Sequence, residues 1–254
     1  MKTATRVIGA LATALACGSS GAFASPAAQQ ADLDLLAISG ETLSGSTLRF
    51  VEGDQLRAGV DAGWALRALV EDPSGSREYA LVGDPSSTGS QGATVLRRPT
   101  TIAGFAQAKL SAPVLFGGQV AYLAGLDPAL NTPFESAWMD DVLLARDGDP
   151  VGATGDTWSR LSGIEPRPGG KLFLRGAAVG VGNLLYAQHS DQLLLKVGSL
   201  IPGFNGPITR IEEVRISANG EHWAARVLGG PLGREALVVD GALLMVGTGA
   251  AIVD

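Results

Sequence analysis

The sequence predicts an all-β fold, a β-propeller-like array of about four four-stranded repeats. Three observations lead to this prediction: a strand that runs into a tight corner recurs along the chain, a glycine turn followed by an apolar run recurs between the corners, and paired apolar runs form hairpins. The corners recur about every 50 residues, a period typical of propeller blades and solenoid coils. A β-solenoid and a sandwich of stacked sheets are the alternatives, because both are also built from short strands.

The most complete corner is residues 142–152 (VLLARDGDPVG), in which Gly148 turns the chain. Less well-matched copies of this stretch have Gly40, Pro99, Gly198 and Gly247 at the same position. The neighbouring side chains change from copy to copy, since Asp147 is replaced by Ser39, Arg98 and Val197. A metal-binding or catalytic role shared by the copies could not survive those changes. The corner is therefore predicted to be architecture.

Two further patterns fill each unit. A glycine precedes a short, mostly apolar run, as expected of a strand covered on both faces; these glycines are Gly63, Gly118, Gly170 and Gly220. Apolar runs at 236–239 and 242–245 flank Asp240 and Gly241, the strongest short-range signal for a hairpin. Together these patterns predict about four strands in each unit.

The chain is predicted to consist of a leader, a spacer and one repeat domain. Residues 1–24 read as a secretory signal peptide, with Lys2 and Arg6 before an apolar run and a cleavage site before Ser25. Residues 25–31 form a spacer, and residues 32–254 form the repeat domain, with units at approximately 35–94, 95–143, 144–193 and 194–254. The strand before the corner occurs five times and the rest of a unit four times. This count fits a four-bladed ring as well as a truncated or dimer-completed array.

The single cysteine, Cys17, lies inside the leader. We expect it to be discarded with the leader; the alternative is acylation at a lipobox, although Ala14 replaces the usual leucine. The predicted location is secreted, periplasmic or at the cell surface. The folded part then contains no disulfide, so burial and sheet pairing must stabilise it.

Charge and hydropathy exclude some partners. The chain carries 19 Lys and Arg residues against 25 Asp and Glu residues, a net charge of −6, with no basic run. Nucleic acid is therefore not an expected partner. Beyond the leader, no apolar stretch approaches the length of about 18 residues that a membrane span needs.

The run Arg146-Asp147-Gly148-Asp149-Pro150-Val151-Gly152 resembles the R-E-G-D-x-A-P-G element of bacterial secreted tandem-repeat proteins of the choice-of-anchor type. Residues 217–221 and 60–64 are similar to the N-D-x-G-x-x-x-F element that alternates with it. The resemblance implies a propeller-like fold and an extracellular location, and it transfers no catalytic residue. Many such proteins end in an apolar sorting tail, which this chain, ending at Asp254, does not show.

Few residues are candidates for chemistry, and none is assigned a catalytic, cofactor-binding or metal-binding role. His222 aligns with Val120 and Leu172, which predicts a core histidine on a buried strand or, as the alternative, a general base. His189, beside Ser190 and Asp191, is expected to be a solvated turn residue. Trp158 is the best candidate for an exposed aromatic side chain. The tryptophans expected to pack between the sheets are Trp64, Trp138 and Trp223.

An acidic cluster spans the third corner. It consists of Asp140, Asp141, Asp147, Asp149 and Asp156. Oxygen ligands suit calcium, but the spacing is not that of a calcium loop. Turn and capping roles are therefore the leading interpretation, and calcium binding is the alternative.

The predicted function is an exported, non-catalytic binding or scaffold module for an unknown extracellular protein or glycan. Long loops at 83–94 and 125–134 are the expected binding elements, because binding residues of repeat proteins concentrate in loops. The alternative is a hydrolase or lyase acting on a glycan or lactone, with a carboxylate or calcium site in the propeller channel.

Overall fold

The computed structural model describes residues 40, 42–58, 63–84, 94–98, 109–126, 133–230 and 233–247. These residues form β-strands joined by turns, with short 3-10 helical turns at Gly152–Thr154 and Gln188–Ser190. The predicted leader and spacer, including Cys17, lie outside the described residues. In the part of the chain that is described, no helix has the length and apolarity needed to cross a membrane.

The strands form four antiparallel sheets that follow one another along the chain. Sheet 1 contains β1 (Arg49–Ala58), β2 (Trp64–Glu71), β3 (Arg77–Asp84) and β4 (Thr94–Arg97). Sheet 2 contains β5 (Lys109–Leu110), β6 (Val114–Phe116), β7 (Gln119–Gly125), β8 (Ser136–Met139) and β9 (Val142–Arg146). Sheet 3 contains β10 (Trp158–Arg167), β11 (Lys171–Ala178), β12 (Gly182–Ala187) and β13 (Gln192–Lys196). Sheet 4 contains β14 (Ile208–Ile216), β15 (Trp223–Gly229), β16 (Arg234–Val239) and β17 (Ala242–Val246).

Sheets 1, 3 and 4 are meanders, because neighbouring strands in each sheet are also neighbours in the chain. In sheet 2, β5 and β6 both pair with β7 and take the place of one first strand. Three four-stranded antiparallel sheets, together with sheet 2, in which β5 and β6 share one strand position, confirm the predicted all-β, propeller-like array of repeats. Sheets 1, 3 and 4 follow the corners at Gly40, Gly148 and Gly198, and sheets 2 and 3 end with the strands that lead into the corners at Gly148 and Gly198.

The corners share one geometry. The N–H of the corner glycine donates a hydrogen bond to a carbonyl at the start of the following sheet. These bonds join Gly40 to Phe50 (2.7 Å), Gly148 to Trp158 (2.8 Å) and Gly198 to Ile208 (2.7 Å). The φ angle of Gly148 is +84°, in the left-handed region that favours glycine. The third residue after each glycine is buried; these residues are Leu43, Val151 and Ile201.

The prediction that Gly247 occupies the corner position is wrong by one residue. The N–H of Gly247 donates to Glu235 O at 2.7 Å, as the N–H of Val197 donates to Asn183 O at 2.9 Å. Gly247 is therefore equivalent to Val197 and lies one residue before the corner position. Pro99, the second predicted corner residue, lies outside the described residues.

Bulges bend the first strand of three sheets in the same way. The register of β10 against β11 shifts after Trp158 and again after Leu161. The register of β14 against β15 shifts after Ile208 and Ile211, and β1 also contains two shifts. An extra residue on one strand increases the local twist. The repeated bulges therefore bend these first strands and increase their twist.

The sheets pack in chain order, and the hydrophobic cores lie between them. One core joins sheet 1 to sheet 2 through Leu81 and Tyr122, and another joins sheet 2 to sheet 3 through Leu123 and Trp158. A third core joins sheet 3 to sheet 4, with contributions from the corner between them. Among the described residues, no hydrophobic cluster joins sheet 4 to sheet 1.

Candidate interaction surface

The turn between the third and fourth strands contains an aspartate in left-handed conformation in three sheets. These residues are Asp140, Asp191 and Asp240, with φ angles of 49°, 50° and 48°. Asp140 Oδ1 accepts a hydrogen bond from Val120 N at 3.0 Å, and Asp240 Oδ1 accepts one from Trp223 N at 2.8 Å. Each of these carboxylates therefore ties the turn to the start of the second strand.

Sheet 3 uses its aspartate differently. The Tyr186 hydroxyl donates to Asp191 Oδ1 at 2.6 Å, and Ala153 N donates to the same oxygen at 3.2 Å. Asp191 thus links the hairpin of sheet 3 to the preceding corner. A Cβ atom at Gly152 would lie 1.9 Å from Asp191 Oδ1, so only glycine fits there. Burial, together with the hydrogen bond to Asp191, raises the pKa of Tyr186 to about 12.

The acidic cluster at 140–156 consists of residues with separate structural contacts. Asp141 pairs with Arg97 at 3.1 Å, and Asp156 pairs with Lys196 at 3.3 Å. Asp149 accepts a hydrogen bond from Arg146 N at 2.9 Å, which closes the corner turn. Within the described residues, no group of three or more His, Cys, Asp or Glu side chains lies close enough to hold a metal ion. Calcium binding stays the untested alternative to the turn and capping interpretation.

The prediction that His222 occupies a buried strand is wrong. Its side chain is 70% exposed, and β15 begins at the next residue, Trp223. The turn between β14 and β15 joins Ile216 to Trp223, whereas Phe116 pairs with Gln119 across the corresponding turn of sheet 2. Because the turn in sheet 4 is longer, the sequence alignment of this strand shifts by one residue, and Trp223, not His222, is equivalent to Val120. His222 Nδ1 lies 2.7 Å from Asp240 Oδ2 at the surface.

His189 is exposed and lies in the 3-10 turn Gln188–Ser190, in agreement with its predicted turn position. Its Nδ1 lies 3.3 Å from both Leu172 N and Leu172 O. The imidazole therefore caps the start of β11, the position that Asp140 and Asp240 serve in the neighbouring sheets. Ser190 is exposed beside it.

The prediction that Trp158 is exposed is also wrong. Trp158 is 1% exposed, begins β10 and packs edge-on against Tyr186, with 6.3 Å between ring centroids. Trp138 and Trp223 are buried, as predicted, while Trp64 is partly buried. Most of the two long loops predicted to bind a partner, at 85–93 and 127–132, lies outside the described residues.

One face of every sheet is built to the same plan. In each sheet the register between the third and fourth strands shifts once. The residue pair directly before the shift therefore occupies the same position in every sheet. These pairs are Leu81–Arg97, Ala137–Ala145, Leu185–Leu195 and Leu237–Met245. In sheets 1 to 3 the third-strand residue is completely buried against the following sheet. In sheet 4 no following sheet covers the equivalent face among the described residues.

The uncovered face of sheet 4 is here named the end face. It consists of Arg226, Leu228, Leu237, Val239, Leu244 and Met245. Leu244 and Met245 are 65% and 63% exposed, whereas Leu195, at the position of Met245, is 2% exposed. The residue after the equivalent pair is basic in sheets 1 to 3 (Arg98, Arg146 and Lys196) and is Val246 in sheet 4. Contiguous exposed aliphatic side chains typically mark an interaction surface.

Charged residues border the aliphatic part of the end face. Arg226 pairs with Glu235 at 2.7 Å and with Glu212 at 4.0 Å, and Glu212 also pairs with Arg210 at 3.0 Å. Hydrogen bonding to Glu235 raises the pKa of Arg226 above its ordinary value. The end face therefore combines an aliphatic half with a half in which both signs of charge are paired.

The covered face of sheet 3 shows that such charges are compatible with packing. There Glu165 pairs with Arg167 at 2.6 Å and with Arg175 at 3.3 Å. Arg167 Nε also donates to Ser217 O of sheet 4 at 3.0 Å. A half-charged, half-aliphatic face is thus the kind of surface against which another sheet packs in this protein.

The fold and this face define an all-β tandem-repeat protein of propeller-like sheets, in which no described residue covers the outer face of sheet 4. In comparisons with known proteins, no family model matched the chain, and no curated protein or solved structure showed significant similarity to it.

Proposed function

We propose that the protein is an exported binding or scaffold module that recognises a protein partner through the end face. The observation that carries this proposal is the difference between Leu195 and Met245. The equivalent residues of sheets 2 and 3, Ala145 and Leu195, are buried by the following sheet, whereas Met245 of sheet 4 is 63% exposed.

The composition of the end face supports a protein partner over a glycan. Its exposed side chains, Leu244 and Met245, are aliphatic or thioether chains, and its charges are already paired. Glycan platforms usually rely on exposed aromatic rings, and the described tryptophans 138, 158 and 223 are buried. An apolar patch with a polar rim is typical of protein interfaces.

Export is the part of the proposal that rests on the leader. A basic start, an apolar run and small residues before Ser25 support secretion into an oxidising compartment. The resemblance of the corner to secreted tandem-repeat proteins of the choice-of-anchor type agrees with this. Expression in a secreting bacterium, followed by fractionation and N-terminal sequencing, tests it. A chain that begins at Ser25 outside the cytoplasm is expected, and an uncleaved cytoplasmic chain contradicts it.

Site-specific photo-crosslinking tests the binding part. A photoreactive amino acid at position 244 is expected to capture a polypeptide under export conditions. The matched control is position 200, where Leu200 is also exposed but lies in a corner. Mass spectrometry identifies the captured chain. Equal or absent crosslinking at the two positions would contradict binding through the end face.

A further inference from the structure

We propose that the partner of the end face is the end face of a second copy of this chain, which gives a two-fold symmetric dimer. This proposal rests on the proposed function, because it names the partner of the same surface. It follows from three features of the described residues: which residues form the end face, whether the outer face of sheet 1 is covered, and how charges are distributed on the end face.

The residues of the end face occupy positions that form an interface between sheets elsewhere in the protein. In sheet 3, Leu185, Leu194 and Leu195 pack against sheet 4 in one core. Leu237, Leu244 and Met245 occupy the equivalent positions in sheet 4, where Leu237 is partly buried and Leu244 and Met245 are exposed. An occupant with the character of another sheet is therefore expected, rather than a small ligand.

Among the described residues, the outer side of sheet 1 at the other end of the array is covered, which argues against head-to-tail stacking through sheet 1. The outward face of sheet 1 includes Leu66, Ala68 and Val82, all at most 4% exposed. These residues form one core with Leu43 and Leu48 from the corner that precedes β1. Sheet 1 of a second copy therefore has no free apolar face among the described residues to offer to sheet 4.

An isologous contact avoids this difficulty, because each copy contributes the same open surface. Such a contact is complete when two copies have joined, and it does not lead to larger assemblies. The charges on the face are self-complementary, since Arg226 lies beside both Glu235 and Glu212. A two-fold rotation can place the arginine of one copy opposite a carboxylate of the other. The aliphatic halves of the two faces then cover each other.

Sedimentation velocity and light scattering on the exported chain test the dimer. Over about 1 to 100 µM, a concentration-dependent shift from monomer to dimer is expected. The double variant Leu244→Glu/Met245→Glu is expected to raise the dimer dissociation constant by at least about tenfold. Leu200→Glu and Val179→Glu are matched controls, because both side chains are exposed and apolar but lie in turns. The controls are expected to dimerise like the wild type. Circular dichroism and thermal unfolding verify that each variant is folded.

Each contrary outcome identifies what has failed. A wild-type chain that is monomeric over the whole range overturns the dimer. If position 244 then crosslinks a different polypeptide, the proposed function stands and only the second copy is wrong. Species that grow beyond the dimer overturn two-fold closure. A dimer that Leu244→Glu/Met245→Glu leaves intact while the variant stays folded places the contact elsewhere and overturns the proposal.

Discussion

Leu195 and Met245 occupy the same position in consecutive sheets, yet Leu195 is 2% exposed and Met245 is 63% exposed. Each pairs directly with a leucine of the third strand, Leu185 or Leu237, and a register shift follows both pairs. The local backbone plan is therefore the same at the two positions. Among the described residues, a following sheet covers Leu195 and none covers Met245.

Truncation of these two residues is expected to have very different effects. Leu195→Ala leaves a cavity in the core between sheets 3 and 4 and is expected to lower the free energy of unfolding by about 2–5 kcal/mol. Met245→Ala removes few contacts and is expected to change it by less than about 0.5 kcal/mol. Urea denaturation at a protein concentration at which the chain is monomeric measures both values. Equal losses at the two positions would show that the end face is covered within a single chain.

The corners illustrate what the sequence predicts well. Gly148 and Gly198 recur with the same spacing from the strand before them, and the structure gives both the same hydrogen bond to the following sheet. The Asp240-Gly241 hairpin is equally predictable, because both residues adopt positive φ. In these places local chemistry alone sets the backbone.

His222 and Trp158 show where prediction from the sequence fails. The position of His222 depends on the length of the turn between β14 and β15, and a longer turn moves the histidine out of the strand. Trp158 follows a corner loop in the sequence, but the hydrogen bond from Gly148 fixes it as the first residue of β10. Both errors come from the register of strands, which only the pairing partner determines.

The exposure of the end face cannot be predicted from apolarity, because Leu244 and Met245 are as apolar as Leu194 and Leu195, their equivalents in sheet 3. The one sequence signal is the residue that follows. Arg146 and Lys196 end the fourth strand in sheets 2 and 3, Arg98 follows it directly in sheet 1, and Val246 takes the same position in sheet 4. A basic residue beside an apolar edge strand discourages association of edges, so its replacement by Val246 distinguishes sheet 4 from sheets 1 to 3.

Trp158→Ala is expected to be among the most destabilising single substitutions. Trp158 fills the core between sheets 2 and 3 and contacts the ring of Tyr186. Removal of a buried tryptophan is expected to cost about 3–5 kcal/mol. Chemical denaturation measures the loss. Trp64→Ala is the comparison, with a smaller expected loss because Trp64 is only partly buried; a loss at Trp158 no larger than at Trp64 would contradict its burial.

Asp240→Ala is expected to destabilise sheet 4 by about 1–3 kcal/mol, because Trp223 N loses its acceptor and alanine disfavours a φ of 48°. Asp240→Asn keeps the acceptor and is expected to cost less. The hydrogen bond from Trp223 N, with His222 nearby, holds the pKa of Asp240 below its ordinary value of 3.8. The stabilisation from the ionised carboxylate is therefore present above that pH and lost as the pH falls through the lower pKa of the folded chain.

Equilibrium unfolding at pH 6 and at pH values below 3.8 tests this dependence. The difference between wild type and Asp240→Asn is expected to shrink at the lower pH values. His222→Ala serves as the control, since an exposed ion pair contributes less than about 1 kcal/mol. A large loss in His222→Ala would show that the histidine, and not the backbone of Trp223, is the main partner of Asp240.

Tyr186→Phe is expected to reduce the sensitivity of the fold to alkaline pH. The pKa of Tyr186 is raised from 10.0 to about 12 in the folded chain, chiefly by burial and also by the hydrogen bond to Asp191. The folded chain therefore holds the phenolic proton more tightly than the unfolded chain, and this stabilisation is complete below pH 10. It is lost as the pH rises from 10 to 12. The wild type is expected to lose stability more steeply than Tyr186→Phe over this range, although the variant is weaker at pH 8 because Asp191 loses a donor. Urea denaturation at pH 8, 10, 11 and 12 measures both trends, and parallel curves for the two chains would contradict the role of Tyr186.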